Sequence, residues 1–378
     1  MSQPATAQNP SSKTTQVAAL PFPIAARMMS RFSFTTGAIA LSAAAATQIN
    51  PIQIPAVGYI RHITLEVILT GAGGTAPAFT ADGPFNVLQS VEFRTAAGND
   101  LIVPLTGYQI FLANKYGSQY AVAPFCDPRM GKQYSATSPS AHFYLVVPLE
   151  IDCETGLGSI PALASNRSYQ LALILAGIGT VFTGAPTATV QVNGTAWYWN
   201  EPPATSPGGT VQAIAPQGLG TISQWQLETP PLTPGDKYIK SNNVGNVLRT
   251  VIFTLRNVAG VRIDTNGWPP VCELYLDNEP MFYFTNNEWE DVMAKNYGLT
   301  AVGKDVAQGL DTGVYVVPFH ALPGGMAGDP ANSRSQYLPT LDASQLQLRG
   351  TAFGSAASTL EILTNSVIPT TARDIYSK

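Results

Sequence analysis

Charge is scarce in this sequence. Asp, Glu, Lys and Arg make up 12% of its 378 residues, about half the ~25% of an average globular chain. A freely soluble monomer covers itself with such residues, so the shortage points to a surface largely buried against other subunits. Acidic residues are missing from the amino end altogether. None precedes Glu66, while Lys13, Arg27, Arg31 and Arg61 give that stretch a charge of +4, within a net charge of −4 for the chain. The overall balance excludes a generally basic nucleic-acid binder. Cysteine is rare too. Cys126, Cys153 and Cys272 are too few and too scattered for a disulfide framework or a zinc site, and they read as reduced, mostly buried thiols. The apolar run Leu171–Phe182 falls short of the ~20 residues of a membrane helix. Val17–Ala26 has a faint likeness to a signal-peptide core, but Pro21 and Pro23 interrupt it and a long uncharged stretch precedes it. It reads as part of an arm.

Chemistry-bearing patterns are equally thin. The three histidines, His62, His142 and His320, lie in or beside strand-like segments with no ligand spacing around them, so they read as structural. Glu288, Glu290 and Asp291 cluster in the first turn of a helix, where the helix dipole favours carboxylates. Trp197 and Trp199, flanking Tyr198, share one face of a strand, which suits packing better than a sugar platform. Gly71–Gly74 is followed by no Lys-Ser/Thr and opens no helix, so it ends a strand. The sequons at Asn166 and Asn193 carry no meaning for a bacterial host. No Ser/His/Asp set stands out, and no cofactor or metal site is expected.

What is plentiful is punctuation. Gly and Pro number 33 and 30, one residue in six, which suits many short strands joined by turns. Residues 1–30 are rich in Ser, Thr, Gln, Ala and Pro without sustained periodicity, and read as a terminal arm. Glu201–Gly209 (EPPATSPGG) is the clearest linker signal. The chain therefore divides into an arm 1–30, a first domain 31–200, a linker 201–216 and a second domain 217–378.

The two halves repeat each other. Thr64–Leu69 has a counterpart in Thr250–Leu255, Ala113–Gly117 in Ala294–Gly298, and Val146–Pro148 in Val316–Pro318. Gln170–Leu173 matches Gln345–Leu348, and Thr189–Val192 matches Thr359–Ile362. All five pairs keep their order. A capping box from Thr106 to Gln109 with Gly117 at the far end predicts a helix over 106–116. Asn287, Glu290 and Gly298 predict its copy over 287–297. In Arg61–Leu69 the residues Ile63, Leu65, Val67 and Leu69 alternate with His62, Thr64, Glu66 and Ile68, the period of a strand with one face in a core. About eight strands fit each half. The expected fold is all-β: two tandem eight-stranded jelly rolls, each with one short helix.

Two segments carry a resemblance. Gly83–Gly117 (GPFNVLQSVEFRTAAGNDLIVPLTGYQIFLANKYG) and Leu145–Leu175 (LVVPLEIDCETGLGSIPALASNRSYQLALIL) are similar to the double jelly-roll major capsid proteins of tectivirus-like, tailless icosahedral phages. The resemblance covers 31–200 directly and 217–378 through the internal repeat. It implies two jelly rolls standing perpendicular to a shell, and a homotrimer whose six barrels give a capsomer of near-hexagonal outline. It implies virion location after assembly in the host cytoplasm, no enzymatic activity, and vertex (penton) and minor capsid proteins as partners. The family's tower-like insertions have no counterpart here. The resemblance also places the amino terminus inward, over an internal membrane. Lys13, Arg27 and Arg31 are then expected to face the particle interior and meet membrane lipid or packaged genome, with Phe22, Ile24, Met28 and Met29 adding apolar contacts. The alternative for the arm is a bridge between neighbouring capsomers. The rival readings of the whole chain are a β-sandwich carbohydrate-binding or carbohydrate-active protein, and a viral spike or receptor-binding protein.

Overall fold

The computed structural model describes residues 21–26, 29–75, 77–95, 98, 100–117, 140–162, 168–203, 205, 215–216, 218–233, 235–263, 267–297, 310–320, 334–353 and 358–369. A short helix α1 (Phe22–Ala26) precedes the first barrel. That barrel is built from β1 (Met29–Ala40), β2 (Ile52–Ile54), β3 (Tyr59–Ala72), β4 (Leu88–Arg94) and β5 (Asp100–Leu105). Helix α2 (Gly107–Tyr116) follows, then β6 (Ala141–Pro148), β7 (Tyr169–Leu175) and β8 (Thr187–Trp199). The second barrel repeats the series with β9 (Ile222–Glu228), β10 (Asp236–Ser241), β11 (Val247–Asn257), β12 (Val271–Leu276) and β13 (Glu279–Thr285). Helix α3 (Asn286–Tyr297), β14 (Val314–Pro318), β15 (Leu346–Phe353) and β16 (Ser358–Ile368) complete it. Two-residue strands at the margins are left unlabelled.

The topology of the two halves is the same. In the first, one sheet runs β1-β8-β3-β6 and the other β2-β7-β4-β5. In the second, the sheets run β9-β16-β11-β14 and β10-β15-β12-β13. Every strand of the first barrel thus has its copy eight labels on. Strand one pairs with eight, two with seven, three with six and four with five, the rolled-up hairpin of a jelly roll. Register follows suit: Val190 opposes Leu69 on β8·β3, and their repeat partners Leu360 and Leu255 oppose each other on β16·β11.

The strands form where the pattern demanded. On β3, Ile63, Leu65, Val67 and Leu69 are buried while Thr64, Glu66 and Ile68 turn outward. Full burial of each such side chain stabilises by roughly 1.5–3 kcal/mol. The cores are heavily aromatic. Phe85 stacks on Phe111 at 4.3 Å in the first barrel, and Trp268 lies 4.4 Å from Tyr315 in the second.

Two features go beyond the sequence pattern. Strand β11 is buried on both faces from Val247 to Arg256, not on one, because the first barrel covers its outer side. The sheets also do not stay separate: β5 of the first barrel and β9 of the second run parallel and meet at Ile102 and Trp225. Each half keeps its own two-sheet sandwich, and the pair shares this one edge.

Candidate assembly interfaces

The join between the barrels begins with a helix cap. Thr106 accepts a hydrogen bond from the Gln109 backbone N–H at 3.2 Å, and the Gln109 side chain accepts one from the Thr106 N–H at 2.9 Å. The box satisfies two amides that no turn of helix could reach. It starts α2, and all ten residues of α2 are buried. One side is fastened to its own barrel, where Asn114 exchanges two hydrogen bonds with the Val146 backbone at 2.6 and 2.8 Å. The other side faces the second barrel and is polar.

There Tyr108 donates to the Leu310 carbonyl at 2.7 Å. Lys115 Nζ donates to both carboxylate oxygens of Asp311 at 2.8 Å, and the Tyr116 hydroxyl donates to the same group at 2.7 Å. Side chains of Lys115 and Asp311 are 2% and 1% exposed, which makes this a dry ion pair. Burial, and then the Asp311 charge, hold the Tyr116 hydroxyl well above the usual phenol range. A second set surrounds Asp82. Arg262 Nε donates to it at 2.8 Å, and Arg256 Nη1 lies 2.7 Å from its other oxygen. Arg256 also pairs with Glu361 at 2.8 Å. Arg262 reaches the Ala81 and Thr312 carbonyls at 2.7 and 2.6 Å. Both guanidiniums lie over the Tyr108 ring, at 4.8 and 5.7 Å. Closing the edge, Trp225 packs under α2, and Arg249 donates to the Gly117 carbonyl at 3.2 Å.

Sequence reasoning singled out none of Asp82, Lys115, Arg256, Arg262 or Asp311. Lys115 in the last turn of α2 passes for an ordinary complement to the helix dipole, and nothing local ties it to a carboxylate 196 residues away.

The helix ends differ in detail from the sequence reading. Gly117 closes α2 with φ −81°, not in a left-handed turn. It is needed for space, since a β-carbon there would meet the Ala113 carbonyl and the Trp225 indole. For α3 the cap is Thr285, not Asn287: its Oγ1 accepts from the Glu288 N–H at 3.2 Å. Threonine and asparagine both cap well, and β13 runs into the helix with no loop, so the earlier residue takes the role. Gly298 lies outside the described residues.

The residues chosen from the sequence scatter. Lys13, Arg27 and Met28 lie outside the described residues. Arg31 sits on β1, paired opposite Trp197, with its side chain exposed. Phe22, expected in a loose arm, is 4% exposed and packs edge-on against Tyr59 and Trp199 at 5.2 and 6.0 Å, whereas Ile24 is 59% exposed. Trp197 and Trp199 do share the outer face of β8. Trp197 stacks on His62 at 6.1 Å, and Trp199 donates to Glu150 at 2.6 Å beneath the Arg61 guanidinium. His142 and Asn193 both bond Glu66, whose carboxyl is held below its usual range, chiefly by Asn193. His320 is fully buried between Thr250 and Tyr297, and burial lowers its pKa to about 3. Glu288 and Asp291 are exposed on α3. Cys153 is exposed, and burial pushes the Cys272 thiol up to about 12. Gly71 ends β3 with Ala72, and Gly73 and Gly74 turn away with positive φ. Cys126 and Asn166 lie outside the described residues.

No protein-family model matches this sequence, and no curated protein does either. Solved structures match well. The major capsid protein of Sulfolobus turreted icosahedral virus superposes with a TM-score of 0.55 at 15% identity, over 92% of this chain and all of that one. In the atomic structure of the whole virus the score is 0.58 at 14% identity, covering 92% of each chain. The capsid of the virus PBCV-1 gives 0.56 at 14% identity, over 90% of this chain and 94% of that one. The fold is a double jelly roll. In these terms β1–β8 and β9–β16 are its two rolls, and the buried ionic seam lies between them.

Proposed function

We propose that this chain is the major capsid protein of a tailless icosahedral virus, and that its work is assembly, not catalysis. Three copies form a capsomer of near-hexagonal outline, and capsomers tile the shell of a virion assembled in the host cytoplasm. The observation that carries the reading is the duplication itself: two barrels of one topology, meeting edge to edge with buried ion pairs between them. Three such units supply six near-equivalent barrels from one gene product, which is what a sixfold-like tile requires. The likeness to viral capsid proteins over nine-tenths of both chains supports it, as does a charge content of 12%. Neighbouring capsomers, vertex proteins and minor capsid proteins are the partners this reading calls for. The amino-terminal segment with Lys13, Arg27 and Arg31 is read as facing the particle interior and an anionic surface there, either membrane lipid or genome. Light scattering of the purified protein at micromolar concentration should report three chains, and electron microscopy should show hexagonal outlines. A stable monomer or a twofold dimer would overturn the proposal.

A further inference from the structure

Away from the seam, the second barrel holds a shallow depression of about 620 Å³ on the outer face of the sheet β10-β15-β12-β13. Strand alternation builds it. Ile239, Leu346, Leu348 and Leu274 turn into the core, so Tyr238, Lys240, Gln347, Arg349 and Glu273 beside them face outward. Register sets these side chains in two rows. Tyr238, Arg349 and Glu273 lie abreast on three neighbouring strands, and Lys240, Gln347 and Tyr275 lie abreast on the next level.

The charges in this depression are unspent. Arg349 stands directly opposite Glu273, and opposite charges in that position ordinarily pair. Here Arg349 instead lies over the Tyr275 ring at 3.7 Å, and its Nε and Nη2 donate to the Gln347 side-chain oxygen at 3.0 and 2.8 Å. Those contacts fix the guanidinium and leave its Nη1 end without a hydrogen bond among the described residues. The side chains of Lys240 and Glu273 also have no hydrogen bond or ion pair among the described residues. Tyr238 borders them and is 61% exposed.

We infer that this depression binds an acidic sugar, a hydroxyl-bearing ring with one carboxylate. Arg349, already held in place, and Lys240 take the carboxylate. Glu273 accepts hydrogen bonds from ring hydroxyls, and the apolar face of the sugar lies on Tyr238. Phosphate would use the two cations but meet the Glu273 carboxylate and leave Tyr238 bare. A neutral sugar would leave both cations unused. The volume falls within the range of small-molecule sites. The inference adds a binding activity to the assembly role and stands without it, since one sheet of one barrel supplies every group. Packing of barrel on barrel leaves this side open: on the same face of the first barrel the Arg94 side chain is 42% exposed beside the second.

Calorimetric titration of the full-length protein with sialyllactose, a hyaluronan tetrasaccharide and lactose tests the assignment. Sialyllactose or the hyaluronan fragment should bind at millimolar concentration and lactose should not. Which of the two binds separates a terminal acidic sugar from one within a chain. Arg349→Lys keeps the charge but loses the fork, and should weaken binding about tenfold. Tyr238→Ala should weaken it comparably, while Arg31→Ala, on the other barrel, should bind as the parent does. These side chains lie at the surface, so circular dichroism should show every variant folded. Equal binding of lactose, no binding of either acidic sugar, or unchanged binding by Arg349→Lys would overturn the inference. Displacement of the sugar by a short polyglutamate peptide at equal concentration would overturn it too, in favour of an acidic peptide.

Discussion

Asp311 receives two donors from the other barrel, Lys115 and Tyr116, in a site that water does not reach. Drying an ion pair costs several kcal/mol per ion, so its attraction is largely spent on its own burial. Removing one member is a different matter, because the survivor keeps the cost and loses its principal partner. Asp311→Ala should therefore destabilise the protein by about 3–5 kcal/mol, measured by denaturant unfolding. Lys115→Met in the same chain should recover much of that loss. If the double variant were no better than the single one, the pair would not be the element that matters there. Neither residue was legible as a partner in the sequence. His320 shows the other side of residue-scale reading: the absence of ligand spacing marked it as structural, and it lies fully buried between Thr250 and Tyr297.

Among the elements, those that state both their ends in local chemistry were the readable ones. Thr106 and Gln109 define the start of α2, and the alternation from Ile63 to Leu69 defines β3. Helix α1 was not readable, since five residues that follow Pro21 and include Pro23 offer no periodicity. It forms because Phe22 finds a slot between Tyr59 and Trp199, a tertiary fact that propensity does not contain. The slot changes how the arm is best tested. Deleting residues 2–20 should leave folding and trimers intact and impair only closed particles. Phe22→Ala should cost about 3 kcal/mol of unfolding free energy, the price of emptying a large aromatic site. If the deletion alone lowered stability by as much, the arm would pack on the barrel well before Phe22. For α3, two good caps two residues apart left the choice to the strand feeding them, so the sequence placed its start too late.

At the scale of the molecule, the five matched segments made the duplication legible, because each lies in a strand or helix whose neighbours are duplicated too. What escaped is how the halves meet. That depends on β11 being covered on its outer face and on one parallel bridge between Ile102 and Trp225, and neither leaves a periodic trace. The material of the join has a further consequence, in its response to heat. Hydration of charged groups becomes less favourable as temperature rises, so a desolvated network of ions loses less on warming than an apolar contact of equal strength at 25 °C. The seam through Lys115, Asp311, Asp82, Arg256 and Arg262 should outlast the cores it connects. Scanning calorimetry should accordingly record a single transition in which both barrels melt together, and two resolved endotherms would show that the seam fails first. A shell tiled from such units would soften between its tiles before it softened within them.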